Sequence, residues 1–183
     1  MSVEGFEVLD AAGQPGVDYV YDASKPLPFS DETFELIHAS HVLEHIPWYK
    51  IREVLREWTR ILQRGGQMEI WVPDGLKVSQ VIVDYENNPR DKKKPEHPYP
   101  LNPEREPCKW ADWHLFGYGA GVRAGVSANW HRALFTPRYL KEVMQQVGLK
   151  EISKMDRSQA RGPDHGWINL GVSGKKPEKA ERI

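Results

Sequence analysis

Polar side chains follow three successive apolar runs of this sequence, at the points where those runs end. The side chains concerned are Asp22, Ser40, His41 and Asp74. In an open parallel sheet, ligands bind outside the carboxyl ends of the strands. If the apolar runs are neighbouring strands, these residues lie together along one edge of the sheet. The pattern therefore predicts a binding crevice lined by carboxylate, hydroxyl and imidazole groups.

The histidines of this region offer two kinds of chemistry. His41 could act as a general base because imidazole titrates near neutrality, and an ordinary loop histidine bonded to backbone is the alternative. His41 and His45 lie four residues apart with Glu44 between them. On a helix both rings would share a face and could bind a divalent metal, as in a metal-dependent hydrolase. Pro47 favours a strand end and a short turn instead, so we predict no metal site.

A long amphipathic helix is predicted between about Trp48 and Gln63, beside these polar residues. Its apolar stripe consists of Ile51, Val54, Leu55, Trp58, Ile61 and Leu62. Gly65 suits a left-handed residue that ends the helix. A strand at 68–72 follows at once, as a strand–helix–strand unit requires.

The other predicted elements continue the alternation of strands and helices. Strands are predicted at 6–9, 19–21, 36–39, 149–155 and 167–172, and helices at 76–86 and 137–147. Alternation of this kind predicts an α/β fold with a mostly parallel sheet and helices on both faces.

Composition limits the class of protein. A chain of 183 residues, 28% charged and 39% hydrophobic, is long enough for one globular domain and too short for two of ordinary size. The net charge of −1 gives no bulk reason to expect nucleic acid as a partner. The single cysteine, Cys108, fits a reducing cytoplasm, and no apolar stretch approaches the length of a membrane span. We therefore expect a cytoplasmic protein that does not enter a membrane, with nucleic acid an unlikely partner.

One domain is predicted over residues 1–173, followed by a charged tail at 174–183. Residues 87–132 interrupt the alternating pattern with a segment rich in proline and charge and then one rich in aromatic side chains. Insertions of this length inside a compact domain are usually functional or disordered. Two interpretations stay open: a cap over the crevice, or a satellite hydrophobic cluster that only packs the loop down.

Two segments of the chain carry a family resemblance. SHVLEHIP at 40–47 and RILQRGGQMEIWVPD at 60–74 resemble motifs of the class I S-adenosylmethionine-dependent methyltransferases of type 11. The similarity extends over roughly Val8–Gly75, and it is looser over His131–Ile152, which resembles relatives associated with glycan or cell-surface metabolism. The resemblance implies a Rossmann-like fold, S-adenosylmethionine as cofactor and methyl transfer to a small hydroxylated or sugar-like acceptor.

The resemblance also implies which residues bind the cofactor. Asp10 matches the acid that holds the two ribose hydroxyls, and a carboxylate suits a vicinal diol because it accepts two hydrogen bonds. Asp22, with Ala23 beside it, matches the acid that pairs with the adenine amino group. Ala39 and Ser40 match the residues that flank the methionine part of the cofactor.

Four further residues are expected on the acceptor side. His41 matches the wall of the methyl-transfer site and is our candidate general base. His114 and His131, from the aromatic part of the insertion, could face the acceptor. Asp74 could contact substrate, or it could cap the helix that begins near Leu76, which is the commoner role for aspartate there.

The beginning of the sequence departs from the family. Relatives open with a strand and a glycine-rich turn, whereas here the acid of the second strand, Asp10, comes soon after Met1. The first strand is therefore predicted to be missing, which leaves inner edges of the sheet unpaired. Either those edges meet directly, or another protomer pairs with them in a homo-oligomer, or Met1 is a misassigned start.

The missing turn leaves two questions open. Gly117–Gly121, which reads GYGAG, could replace the turn, but no acid precedes it at the family's position and a flexible cap loop is the alternative. The second question is the class of function. A methyltransferase-like pseudoenzyme that serves as a binding or assembly subunit is the alternative to an active enzyme.

Overall fold

The computed structural model describes residues 5–88, 102–117, 130–162 and 164–179 of the chain. These ranges contain the strands β1 (Leu9–Asp10), β2 (Tyr19–Val20), β3 (Phe34–Ser40), β4 (Leu62–Pro73), β5 (Lys150–Met155) and β6 (Asn169–Lys175). The helices are α1 (Ile51–Ile61), α2 (Gly75–Asn87), α3 (Pro107–Phe116) and α4 (Pro137–Gln146). Short 3-10 turns lie at Leu43–His45, Trp48–Lys50, Arg157–Gln159 and Gly166–Ile168.

The larger sheet is mixed, with the strand order β3-β4-β6-β5. β3 and β4 are parallel, as the helix between them requires, whereas β6 is antiparallel to both β4 and β5. β3, β4 and β5 therefore run in one direction and β6 runs against them, so the sheet is mostly parallel, as predicted, but not wholly parallel. β6 runs back beside β5 because the connection at 156–168 contains 3-10 turns and, among its described residues, no crossover helix.

β1 and β2 form a separate parallel pair. Within the described residues, β3 pairs with β4 on one side only, and a cavity of about 170 Å³ separates its other side from the β1–β2 pair. Apolar side chains dominate the lining of this cavity, among them Leu9, Leu36 and Phe29. Pairing of such an edge with a second copy of the chain stays a prediction.

Helix α1 buries the predicted stripe, which includes Val54, Leu55 and Trp58. Its predicted end at Gly65 is wrong, because Leu62 already has extended dihedral angles and β4 begins there. Gly65 does adopt a positive φ of 76°, but it does so inside the strand. The neighbouring glycine, Gly66, is required by space, since a Cβ atom there would lie 2.8 Å from two carbonyl oxygens.

The two faces of β4 have different surroundings. Met68, Ile70 and Val72 are completely buried in the main core, together with residues of α1 and α4. The alternate side chains, Glu69 and Trp71, point to the opposite face of the strand. They are also buried, at 1% exposure each, although Glu69 carries a carboxylate.

The region predicted as an insertion contains helix α3, which the sequence pattern did not predict. Trp110 and Ala111 of α3 form a small second core with Val78 of α2 and Ile168. Part of this segment therefore packs against α2, and the choice between a cap over the crevice and a satellite cluster stays a prediction. At the other end of the chain, β6 extends to Lys175, two residues into the segment predicted as a tail.

Within the described ranges, none of the helices combines the length and apolar character needed to cross a bilayer.

Asp74 caps helix α2. Its Oδ1 accepts hydrogen bonds from the backbone N–H groups of Leu76 at 3.1 Å and Lys77 at 3.4 Å, and the residue is 2% exposed. We expect Asp74→Ala to lower the free energy of unfolding by about 1 kcal/mol, the usual cost of losing an N-cap. Asp74→Asn should retain most of the stability because asparagine also caps helices. Urea unfolding of both variants measures this, and equal losses would show that the charge matters more than the cap.

Candidate functional site

Asp10 and Asp22 lie at the same rim of the β1–β2 pair. The strands are parallel, Asp10 is opposite Val20, and the N–H of Tyr21 donates to the carbonyl of Asp10 at 2.9 Å. Asp22 follows one residue later, so both carboxylates stand at the carboxyl ends of paired strands. Asp10 is half-buried and Asp22 is exposed, which leaves both accessible to a ligand.

Each of the two carboxylates also shapes its own loop. Asp10 Oδ1 accepts a hydrogen bond from the N–H of Ala12 at 2.7 Å, and Asp22 Oδ1 accepts one from the N–H of Ser24 at 2.9 Å. Partial burial opposes ionisation of Asp22, but the hydrogen bonds from Ser24 and nearby lysines outweigh it and lower the pKa. Two carboxylate oxygens offer about four acceptor positions, so these turns leave capacity for ribose hydroxyls or an amino group.

Ala23 and Ala39 face each other across the cavity between β2 and β3, whose lining includes both. Ala39 is buried, and the carbonyl of Ala23 accepts a hydrogen bond from Trp58 Nε1 at 3.0 Å. Ser40 is the last residue of β3 and lies opposite Trp71 of β4. Of the predicted cofactor-binding residues, the two alanines therefore line one cavity. The two aspartates lie at the carboxyl ends of β1 and β2, the strand pair that borders this cavity.

His41 begins the loop after β3 in an unusual backbone conformation. Its φ is 53°, in the left-handed region that residues with a side chain adopt rarely, and its N–H donates to the carbonyl of Trp71 at 2.9 Å. Its Nε2 lies 3.0 Å from Oδ1 of Asn169, whose Nδ2 in turn donates to Asp164 at 3.4 Å. Strain of this kind persists where the surroundings fix it, and here β4 and Asn169 hold the imidazole in place.

Glu44 is a buried acid beside His41. It is 1% exposed, and its Oε1 lies 3.0 Å from His41 Nδ1. That distance is short enough for an ion pair, but the two groups are not aligned as a hydrogen bond, and neither carboxylate oxygen of Glu44 has a hydrogen-bond partner among the described residues. Burial of an acid without such a partner is costly, so this carboxylate calls for a functional explanation.

His114 and His131 are brought together by the backbone. Nδ1 of His114 donates to the carbonyl of Trp110, and Nδ1 of His131 donates to the carbonyl of His114, each at 2.8 Å. Burial lowers the pKa of His114 to about 4 and also lowers the pKa of His131. Both rings are therefore neutral at pH 7, with Nε2 as the acceptor.

Two further histidines complete this region. The ring of His165 lies 3.7 Å from that of His41, and the ring of His45 lies 4.9 Å from that of His131. We call Glu44 with these five histidines, at positions 41, 45, 114, 131 and 165, the histidine cluster. Burial lowers the pKa of His165 as well.

The structure brings three of the predicted acceptor-side residues into this cluster, namely His41, His114 and His131. Asp74 lies at the start of α2 as its cap, and contact with a substrate stays a prediction for it. The sequence did not indicate Glu44, His165 or Asn169 as members of the site. Glu44 stood inside a quoted motif, but no local pattern places positions 165 and 169 next to position 41. Of the glycine run Gly117–Gly121, only Gly117 lies within the described residues.

In comparison with known proteins, part of the chain matches a family model. Residues 6–70 match the family model described as a methyltransferase domain. No curated protein matches the chain.

Two solved structures share the fold. A 1,6-didemethyltoxoflavin-N1-methyltransferase from Burkholderia thailandensis, solved with 1,6-didemethyltoxoflavin and S-adenosylhomocysteine, is 13% identical with a TM-score of 0.51 over 92% of this chain. A possible exported protein from Bordetella parapertussis is 15% identical with a TM-score of 0.51 over 87% of this chain. The chain spans 60% and 43% of these two structures, respectively. At these identities the likeness shows the fold, and the predicted Rossmann-like methyltransferase fold is confirmed.

Proposed function

We propose that this chain is a class I S-adenosylmethionine-dependent methyltransferase that transfers a methyl group to a small hydroxylated or sugar-like acceptor. The match of residues 6–70 to the methyltransferase-domain model supports the class of enzyme. The observation that carries the proposal is the position of Asp10 and Asp22, which lie at the carboxyl ends of two paired parallel strands. Ligands of open α/β sheets bind at such ends. The structurally similar Burkholderia enzyme, which was solved with a small molecule bound, supports a small-molecule acceptor, and the hydroxylated or sugar-like character is our proposal.

The carboxylates suit the cofactor chemically. Asp10 would hold the ribose hydroxyls and Asp22 would accept from the adenine amino group, since both carboxylates have accessible acceptor positions. Ala23 and Ala39 present small apolar surfaces where a larger side chain would fill the cavity. When bound, S-adenosylmethionine supplies an electrophilic methyl group on a sulfonium, so the protein needs mainly to align the acceptor and exclude water.

His41 is the residue that we propose to take the proton of a hydroxyl acceptor. Its main chain is fixed by β4, and its ring is held between Asn169 and Glu44, so its position is defined before substrate arrives. The nearby carboxylate of Glu44 would stabilise the imidazolium that forms when His41 accepts the proton. A hydroxyl acceptor requires such a base, whereas an amine acceptor can react without one.

The test is binding of S-adenosylhomocysteine measured by calorimetric titration. We expect saturable binding to the unaltered chain and a loss of affinity of roughly 10- to 100-fold in Asp22→Ala, since hydrogen bonds to charged groups contribute about 1.5–3 kcal/mol. In Asp22→Asn the side chain can still accept the hydrogen bond from Ser24. Comparison of this variant with Asp22→Ala therefore separates the effect of losing the charge from the effect of losing the turn.

Asp156→Ala is the matched control for this titration. Asp156 is also an exposed aspartate that accepts a hydrogen bond from the N–H two residues later, Ser158, at 2.9 Å, but it precedes a 3-10 turn after β5. Its removal should leave the affinity unchanged. An absence of binding at millimolar ligand would overturn the proposal and favour a binding or assembly subunit without methyltransferase activity.

A further inference from the structure

We propose that Glu44, His45 and His131 form a binding site for a divalent transition metal ion, with Zn²⁺ as the best-suited ion. One ligand atom from each residue lies within 4.8 Å of the others. Two imidazoles and one carboxylate are an established set of zinc ligands. Binding of the ion requires neither the cofactor nor methyl transfer, although the site shares Glu44 with the proposed base His41. It differs from the pairing of His41 with His45 that the sequence suggested.

The tautomers of the two histidines favour metal binding. His131 donates its Nδ1–H to the carbonyl of His114 at 2.8 Å, and Nδ1 of His45 lies 3.4 Å from the carbonyl of Trp130. Histidines that bind metals usually donate their second ring N–H to a carbonyl or carboxylate in this way. In both residues this leaves Nε2 as a lone-pair atom.

Glu44 provides the second, independent observation. Its carboxylate is 1% exposed, and neither oxygen has a hydrogen-bond partner among the described residues. The ion-pair contact of Oε1 with His41 involves one oxygen, so the other can bind an ion. A divalent cation would neutralise a buried charge that is otherwise costly to keep inside the protein.

The local backbone allows the site to close. Glu44 and His45 lie next to each other in a 3-10 turn, and the carbonyl of Glu44 accepts hydrogen bonds from the N–H groups of Arg132 at 2.7 Å and Ala133 at 3.2 Å. This pairing ties the chain around His131 to the turn. In tetrahedral geometry with bonds of about 2.0–2.1 Å, ligand atoms stand roughly 3.4 Å apart. The three atoms lie within 4.8 Å of one another, so each pair needs to approach by at most about 1.4 Å.

The fourth coordination position would remain for a small ligand. Glu44 and His131 both line a small cavity whose wall also includes His114 and Phe135. Sites with three protein ligands and one exchangeable position are typical of catalytic rather than structural zinc. The position would therefore accept water or an oxygen atom of a small molecule.

The test is titration of the untagged, metal-free chain with ZnCl₂, followed by CoCl₂ for its visible absorption spectrum. We expect one ion per chain and absorption bands of tetrahedral Co²⁺. His131→Asn and Glu44→Gln should each weaken Zn²⁺ binding at least 10-fold. Because Glu44 is buried, His45→Asn, at a partly exposed position, provides a variant whose folding is not threatened.

His165→Asn is the control, since His165 belongs to the histidine cluster but lies against His41, outside the three proposed ligands. It should bind Zn²⁺ as the unaltered chain does, and circular dichroism of all metal-free variants checks that they fold. The proposal is overturned if the unaltered chain binds no Zn²⁺ at micromolar concentration, or if His45→Asn and His165→Asn weaken binding equally.

Discussion

Replacing Glu69 with glutamine should lower the free energy of unfolding at pH 7 by an amount on the order of 3 kcal/mol. Glu69 lies on β4, on the face opposite α1, and its side chain is 1% exposed. It accepts hydrogen bonds from Arg161 Nε at 2.8 Å, from Gln67 Nε2 at 2.9 Å and from His38 Nδ1 at 3.1 Å. A glutamine would direct an NH₂ group at one of these donors and leave two donors facing each other.

The pH dependence of stability gives the sign of this effect. Burial disfavours the charged form of Glu69, but the hydrogen bonds from His38 and Arg161 and the charge of Arg161 outweigh burial, so the pKa falls from about 4.5 to about 2. A carboxylate with a lowered pKa in the folded state stabilises the protein fully above its unfolded pKa. The contribution is lost as the pH falls from about 4.5 towards 2.

The measurement is urea unfolding of the unaltered chain and Glu69→Gln at several pH values between 7 and 3. We expect the difference between the two proteins to be largest at pH 7 and to shrink steadily below about pH 4.5. Glu142→Gln is the control, because Glu142 also accepts from an arginine, Arg138, at 2.7 Å but lies on the surface of α4. It should change stability little, as exposed ion pairs usually do. A constant difference at all pH values would show that the charge of Glu69 is not the cause.

The sequence predicted the parts of the fold that follow from local periodicity. The apolar stripe of α1 and the alternation of strands and helices between positions 19 and 87 depend on neighbouring residues, and the structure has them. The rim with Asp10 and Asp22 follows from the same logic, because residues at the ends of parallel strands meet at one edge.

The parts that were not predicted depend on contacts between distant segments. No pattern in the residues of β6 distinguishes an antiparallel from a parallel strand, and the direction is fixed by the short connection from β5. The contact of His41 with Asn169 likewise joins positions 128 residues apart. The burial of Glu44 was not predicted for another reason. An acid in a turn is normally exposed, and this one is buried because the segment around Arg132 folds over it.

The last prediction concerns Gly171, which makes room for Trp71. A Cβ atom at position 171 would lie 2.6–2.7 Å from three carbons of the outer ring of Trp71, and that side chain is 1% exposed with no space to retreat. We expect Gly171→Ala to lower the free energy of unfolding by about 1–3 kcal/mol, the usual cost of overpacking a core. In Trp71→Phe the outer ring is gone, so the added methyl group should be tolerated.

The two substitutions should therefore compensate each other in a double-mutant cycle. Urea unfolding of the four proteins should give a coupling free energy of about 1–3 kcal/mol, with the double variant more stable than the sum of the single effects predicts. Trp71→Phe also removes a buried indole N–H that has no hydrogen-bond partner among the described residues. Additive losses, within about 0.5 kcal/mol, would show that β4 and β6 separate locally and that the two side chains do not compete for space.

This cycle also tests how the sheet positions the candidate base. The carbonyl of Trp71 accepts the hydrogen bond from the N–H of His41, so any displacement of β4 by an added methyl group at Gly171 reaches the histidine directly. We expect the NMR signal of the His41 ring to shift in Gly171→Ala and to return towards its position in Trp71→Phe when both changes are combined. The signal of His38, which lies on β3 and bonds to Glu69, is the internal reference. Equal shifts of the His38 and His41 signals would mean that the whole of β3 moves. An unchanged His41 signal would mean that the loop, rather than β4, holds the His41 ring in position.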